Sequence, residues 1–171
     1  MTETRSILGQ LQNDGNRLAG YAAVFDSPTV ITEGGRTFTE IVRPGAFRKA
    51  IESKGDILVC YNHDAGRLLG RTASGTARIH EDSHGLRFEV DLPDAAADLK
   101  ELVARGDVRG ASFSFSVRKG GEHWDGNTRE LRDLFLFECG PVVMPAYSAT
   151  SVGLRSLEHY RRKLTAFEKS K

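Results

Sequence analysis

The chain has almost no charge imbalance, few sulfur-bearing residues and no long apolar run, and each shortage excludes something. Its 24 Lys+Arg stand against 23 Asp+Glu, a formal net charge of +1 over 171 residues. Nucleic-acid partners usually require a basic face or stripe, so nothing in the charge points to one. The absence of a stretch of about 18 apolar residues excludes a membrane-spanning helix. The opening segment, MTETRSILGQLQNDG, lacks the apolar run of a secretory signal. Only two cysteines occur, Cys60 and Cys139. Both sit in apolar, strand-like segments and read as small buried hydrophobes of a reducing compartment. They can pair only if their strands are neighbours. No His-Glu-x-x-His or Cys-x-x-Cys spacing appears, so no metal is expected, and no cofactor. His80, His84, His123 and His159 fall in turns or on the tail. Gly106 to Gly110 is not followed by a helix, so a phosphate loop has no support.

What the chain does have is a row of hydroxyls. Gly110 to Val117 reads Gly-Ala-Ser-Phe-Ser-Phe-Ser-Val. In a strand, side chains alternate between faces. Ala111, Phe113, Phe115 and Val117 therefore line a core face, and Ser112, Ser114 and Ser116 the other. The aromatic face fixes the register, because a slip of one residue would exchange the two sets. A serine becomes a nucleophile only when a base reaches it.

With 39% hydrophobic residues the chain supports one domain with a substantial core. Gly20 to Phe25 reads as a first strand, closed by Asp26-Ser27-Pro28. Val30 to Thr39 is a loop or ragged hairpin, and Pro44 to Ile51 a short helix. Asp56 to Tyr61 is a strand buried on both faces. Gly70 to His80 and Leu86 to Leu92 form a hairpin turning through 81–85. Pro93 to Arg105 is the clearest helix, striped by Ala97, Leu99, Leu102 and Val103 and stopped by Gly106. Lys119 to Thr128 is a polar turn and Leu131 to Cys139 a further strand. Many short strands without regular βαβ alternation predict an α+β fold, an antiparallel β-barrel with a few surrounding helices. The expected organisation is an N-terminal extension over 1–18, the barrel domain over 19–155, and a C-terminal amphipathic helix over 156–171. Leu157, Tyr160, Leu164 and Phe167 stripe that helix.

Two further positions complete a candidate hydrolytic site. His63 follows a buried strand at the rim, and imidazole is the natural acceptor for a serine proton. Its plainer role is to cap a strand end. Glu138 lies in Leu134-Phe-Leu-Phe-Glu-Cys-Gly-Pro-Val-Val, where a carboxylate needs a hydrogen-bonded or charged partner. Orienting a histidine satisfies that need; a salt bridge to Arg71, Arg118 or Arg132 would satisfy it equally. Spacing alone does not bring the three together.

An ordered set of motifs runs from Gly20 to Val152: Gly20-Tyr-Ala-Ala-Val-Phe25, Ile41-Val-Arg-Pro-Gly-Ala-Phe47, and Tyr61-Asn-His-Asp64 with Leu69-Gly-Arg71. It continues through Gly85-Leu86, Asp91-Leu-Pro93, Arg109-Gly-Ala-Ser-Phe-Ser-Phe115 and Leu136-Phe-Glu-Cys-Gly-Pro-Val-Val-Met-Pro-Ala146. Their order and spacing resemble the prohead (capsid maturation) protease family of tailed bacteriophages and related gene-transfer particles. That family is held to share the herpesvirus assemblin fold. The resemblance implies a serine endopeptidase that cleaves the major capsid protein or its scaffold region, and itself. It would act in the host cytoplasm, inside the prohead. By that resemblance the histidine is His63, the nucleophile is Ser112 of the Gly-x-Ser-Phe pattern, and the third member is Glu138. Herpesvirus relatives use a second histidine in that place. The family usually has glycine where this chain has Ser114, which leaves Ser114 as an alternative nucleophile. Arg161, Arg162, Lys163 and Lys169 of the tail offer sites for trimming or scaffold docking; the plainer reading of the tail is a helix packed against the barrel or a frayed end. The rival readings are a catalytically decayed capsid-assembly or scaffold interaction module, and a hydrolase of small esters.

Overall fold

The computed structural model describes residues 1–9 and 11–143; the expected C-terminal helix and its basic residues lie outside them. The strands are β1 (Glu3–Leu8), β2 (Gln12–Asp14), β3 (Arg17–Val24), β4 (Thr29–Glu33), β5 (Arg36–Val42), β6 (Leu58–Tyr61) and β7 (Asp64–Arg71). They continue with β8 (Ala77–Glu81), β9 (Gly85–Asp91), β10 (Gly110–Val117), β11 (Glu122–Asp125), β12 (Thr128–Leu131) and β13 (Leu134–Val142). Two helices complete the set among the described residues, α1 (Arg48–Glu52) and α2 (Ala97–Ala104), the second entered through a 3-10 turn at Asp94–Ala96.

The fold is mostly antiparallel sheet with few helices, in three sheets ordered β1-β10-β13-β6-β7, β11-β12-β5-β4 and β2-β3-β9-β8. Two neighbouring pairs, β12 with β5 and β13 with β6, are parallel. The expected closure into a barrel is not found among the described residues. Strand β5 is already hydrogen-bonded on both sides, to β4 and β12, and side-chain ion pairs link that sheet to β1. Arg5 Nε donates to Glu40 Oε1 at 2.6 Å, and Arg129 Nη1 reaches Glu40 Oε2 at 3.1 Å and Glu3 Oε2 at 2.6 Å. Gly20 to Phe25 is also not the first strand, since β1 and β2 precede it. The polar turn expected over 119–128 contains β11, which pairs with β12.

The serine strand alternates as its sequence dictates. Ala111, Phe113 and Phe115 are buried in the core, where Phe113 meets Phe47 edge-on at 5.2 Å and stacks on Phe115 at 5.1 Å. Such a buried phenylalanine contributes about 3–5 kcal/mol relative to alanine. Cys60 and Cys139 are buried free thiols on the neighbouring strands β6 and β13. Burial pushes both thiols up, Cys60 to about 11.

Strand β1 is an edge, and its register is held from the core side. Glu3 and Arg5 face the ion-pair network, while Thr4 and Ser6 face the serine row opposite Ser114 and Ser112. Burial alone would raise the Glu3 carboxyl, but hydrogen bonds and charge from Arg129 and Arg5 outweigh it and hold it low. A depressed carboxyl stabilises fully above its ordinary value near 4.5 and loses that contribution as pH falls through the folded value. Hydrogen-exchange protection factors of β1 amides should therefore drop as pH falls from above the ordinary carboxylate range through the depressed folded value, while those of β10 and β13 persist. Equal protection of β1 across that range would contradict this account.

Candidate active site

Two structural devices bring the three candidate residues together. The first is the ladder between β10 and β13, which sets Ser114 directly across from Glu138 and Ser112 across from Gly140. Opposed residues of an antiparallel pair project to the same face. Glu138 therefore rises beside the serine row without any long-range coincidence. The ladder shifts between Ser114 and Phe115, so a bulge at Phe137 separates the site from the outer half of β13.

The second device is the turn that carries His63. Tyr61 pairs with Asp64, leaving Asn62 and His63 as a two-residue hairpin loop between β6 and β7. Both have positive φ, 55° and 59°, the backbone of a type I′ turn. Asparagine tolerates this region better than most residues, histidine somewhat less. The turn is tied to the end of β13: Asn62 N–H donates to Pro141 O at 3.0 Å, and Val143 N–H donates to Asn62 Oδ1 at 2.9 Å. Gly140 lets the strands approach this closely. Its φ is 155°, and a Cβ added there would overlap the Cys60 carbonyl oxygen.

The resulting contacts form one chain. Ser112 Oγ lies 2.7 Å from His63 Nε2, and His63 Nδ1 bonds Glu138 Oε1. Ser114 Oγ donates to the same Oε1 at 2.5 Å, lies 3.5 Å from His63 Nδ1, and is 3.1 Å from Thr4 Oγ1. An ionised carboxylate only accepts, so Nδ1 carries the hydrogen toward Glu138. Nε2 is left as an acceptor for the Ser112 hydroxyl. The His63 side chain is 31% exposed and that of Glu138 15%, whereas Ser112 is only 1% exposed.

All four sequence-stated candidates thus share one site, with Ser112 on Nε2 and Ser114 on the carboxylate. The salt bridges that would have explained Glu138 go elsewhere: Arg71 bonds Asp56, Arg118 bonds Asp133, and Arg132 bonds Glu130. Among the described residues, Glu138 Oε2 is buried with no hydrogen-bond partner, and so is Ser6 Oγ. Thr4 and Ser6 escaped the sequence reading. Their only sequence signal is polar alternation in Thr4-Arg-Ser6, which carries no apolar face to mark a strand. His80, His84 and His123 are exposed, on β8, the following turn and β11, outside the strands that carry the site.

A hydroxyl bonded to an imidazole whose far nitrogen is bonded to a carboxylate is the arrangement used for serine acyl transfer. No curated protein and no solved structure matches the chain. The sequence profile of caudovirus prohead serine proteases matches residues 2–163, nearly the whole length, and with this site geometry beside it the chain belongs to that family of capsid-maturation proteases.

Proposed function

We propose that the protein is a serine endopeptidase in which Ser112 is the nucleophile, His63 the general base and acid, and Glu138 the group that orients and charges the imidazole. The observation that carries this reading is the 2.7 Å contact between Ser112 Oγ and His63 Nε2. As Ser112 Oγ attacks the scissile carbonyl carbon, its proton passes to Nε2. The tetrahedral intermediate then expels the amine, which takes that proton from the imidazolium. Water repeats the cycle and releases the acyl group. Glu138 accepts the Nδ1 proton's hydrogen bond throughout and stabilises the imidazolium without itself being protonated.

The substrates in this reading are the scaffold region or N-terminal extension of the major capsid protein, and the protease itself, cleaved inside the assembling prohead. Family membership supports it. The assemblin fold enters only as what the resemblance to that family implies.

A fluorophosphonate probe tests the chemistry without needing the natural substrate. Attack by Ser112 forms an oxygen–phosphorus bond, fluoride leaves, and the serine proton goes to His63. Peptide mapping of labelled protein should find the adduct on the peptide containing Ser112, with labelling abolished in Ser112→Ala. Labelling at an unrelated residue, or none at all, would overturn the assignment.

A further inference from the structure

The contacts around Glu138 contain one residue that a three-membered set does not use. We propose that Ser114 is a positioning residue that fixes the Glu138 carboxylate, and that Thr4 on β1 fixes Ser114 in turn. The proposal rests on the reading of Ser112, His63 and Glu138 given above.

The direction of each hydrogen bond follows from what each group can do. Ser114 has one proton, and Glu138 Oε1 at 2.5 Å can only accept it. Thr4 Oγ1, 3.1 Å from Ser114 Oγ, must then donate to it. Protons thus point inward from both sides, Thr4 to Ser114 to Glu138, and Ser112 to His63 to Glu138. This wiring also removes Ser114 from competition as nucleophile. Its proton is committed to the carboxylate, and the nearer ring nitrogen is Nδ1, at 3.5 Å, which already bears hydrogen.

A carboxylate held at one oxygen needs such a partner. The terminal torsion of glutamate is broad, with no sharp rotamer to hold the carboxylate plane. Oε2 finds no hydrogen bond among the described residues, so Oε1 is the anchor. With Ser114 present, two donors converge on Oε1 and set the plane against which the imidazole rests. The Thr4 hydroxyl reaches this point because β1 pairs with β10 in the register Thr4↔Ser114. That register is kept by the Arg5 and Glu3 ion pairs on the opposite face. The arrangement makes the geometry of the site depend on the first strand of the chain.

Inactivation by a fluorophosphonate under saturating conditions separates a maximal rate, kinact, from a binding constant, KI. Ser114→Ala should lower kinact by about 10- to 100-fold, the scale seen when supporting contacts around metal ligands are removed. KI should stay within twofold. Ser114→Thr, which keeps the hydroxyl, should return kinact to within about threefold of wild type. Thr4→Val removes a neutral hydrogen bond and should lower kinact by about two- to tenfold. It also gives an independent test should Ser114→Ala melt early. If Ser114→Ala reacts at the wild-type rate while Ser112→Ala is inert, the positioning role falls and the catalytic reading stands. Equal losses in Ser114→Ala and Ser114→Thr would overturn the role of the hydroxyl. An inert Ser114→Ala beside a labelled Ser112→Ala would make Ser114 the nucleophile and overturn both readings.

Discussion

Replacing Ser112 with alanine is expected to reduce cleavage of the cognate capsid precursor to background, a loss on the order of 10³- to 10⁶-fold. That corresponds to about 4–8 kcal/mol of transition-state stabilisation. The variant deletes the oxygen that contacts Nε2. Ser114 cannot replace it, because the next residue on the same face of a strand lies roughly 7 Å along the chain. Its hydroxyl is also engaged by Glu138. The fold should survive. Phe113, Phe115 and Ala111 remain in the core on the other face, and serine to alanine in a strand removes only a hydroxyl. A gel assay of co-expressed precursor, with a thermal melt of the purified variant, checks both halves. Normal processing by Ser112→Ala would remove the proposed nucleophile. A melt lowered by tens of degrees would mean that the loss reflects unfolding.

Legibility of this site from sequence followed the strength of the local pattern. The β10 face was readable because Phe113 and Phe115 alternate with serines, and burial then leaves one choice of register. The β8–β9 hairpin and the helix at 97–104 carried comparable signals in their apolar periodicity and in Gly106. Glu138 was conspicuous as a carboxylate in an apolar run, and the structure gives it the histidine partner rather than any of the three arginines. What stayed hidden was β1. Its buried residues, Arg5 and Ser6, look like surface residues until Glu40 and Arg129 arrive from β5 and β12. Charge pairing across more than thirty residues leaves no local periodicity. The turn at Asn62-His63 was equally concealed, because type I′ hairpins are usually announced by Asn-Gly or Asp-Gly. The barrel was expected from the count of strands, but strand count does not determine whether the edges of separate sheets join. Here three sheets form, and β1 meets the interior strand β5 only through side-chain ion pairs among the described residues.

Glu138→Gln is expected to lower kinact by about 10²- to 10⁴-fold, at the upper end close to the cost of the same change in other triads, although it preserves size and shape. The cause lies in the buried Oε2 position, which meets no hydrogen-bond partner among the described residues. A glutamine must place its NH₂ at one of the two oxygen sites. At the Oε2 site the amide would be a buried donor without an acceptor, costing about 1–3 kcal/mol. At the Oε1 site it can donate to Ser114 Oγ and to His63 Nδ1, both of which can accept. The second orientation is therefore favoured, and it forces the proton of His63 onto Nε2. An imidazole protonated there donates to Ser112 and can no longer take its proton. The charge that stabilised the imidazolium is lost as well. Nitrogen-15 chemical shifts of His63 should report the tautomer change directly, from a protonated Nδ1 in the wild type to a protonated Nε2 in Glu138→Gln. A variant that reacts within tenfold of wild type with its Nδ1 still protonated would mean that the carboxylate neither sets the tautomer nor stabilises the charge.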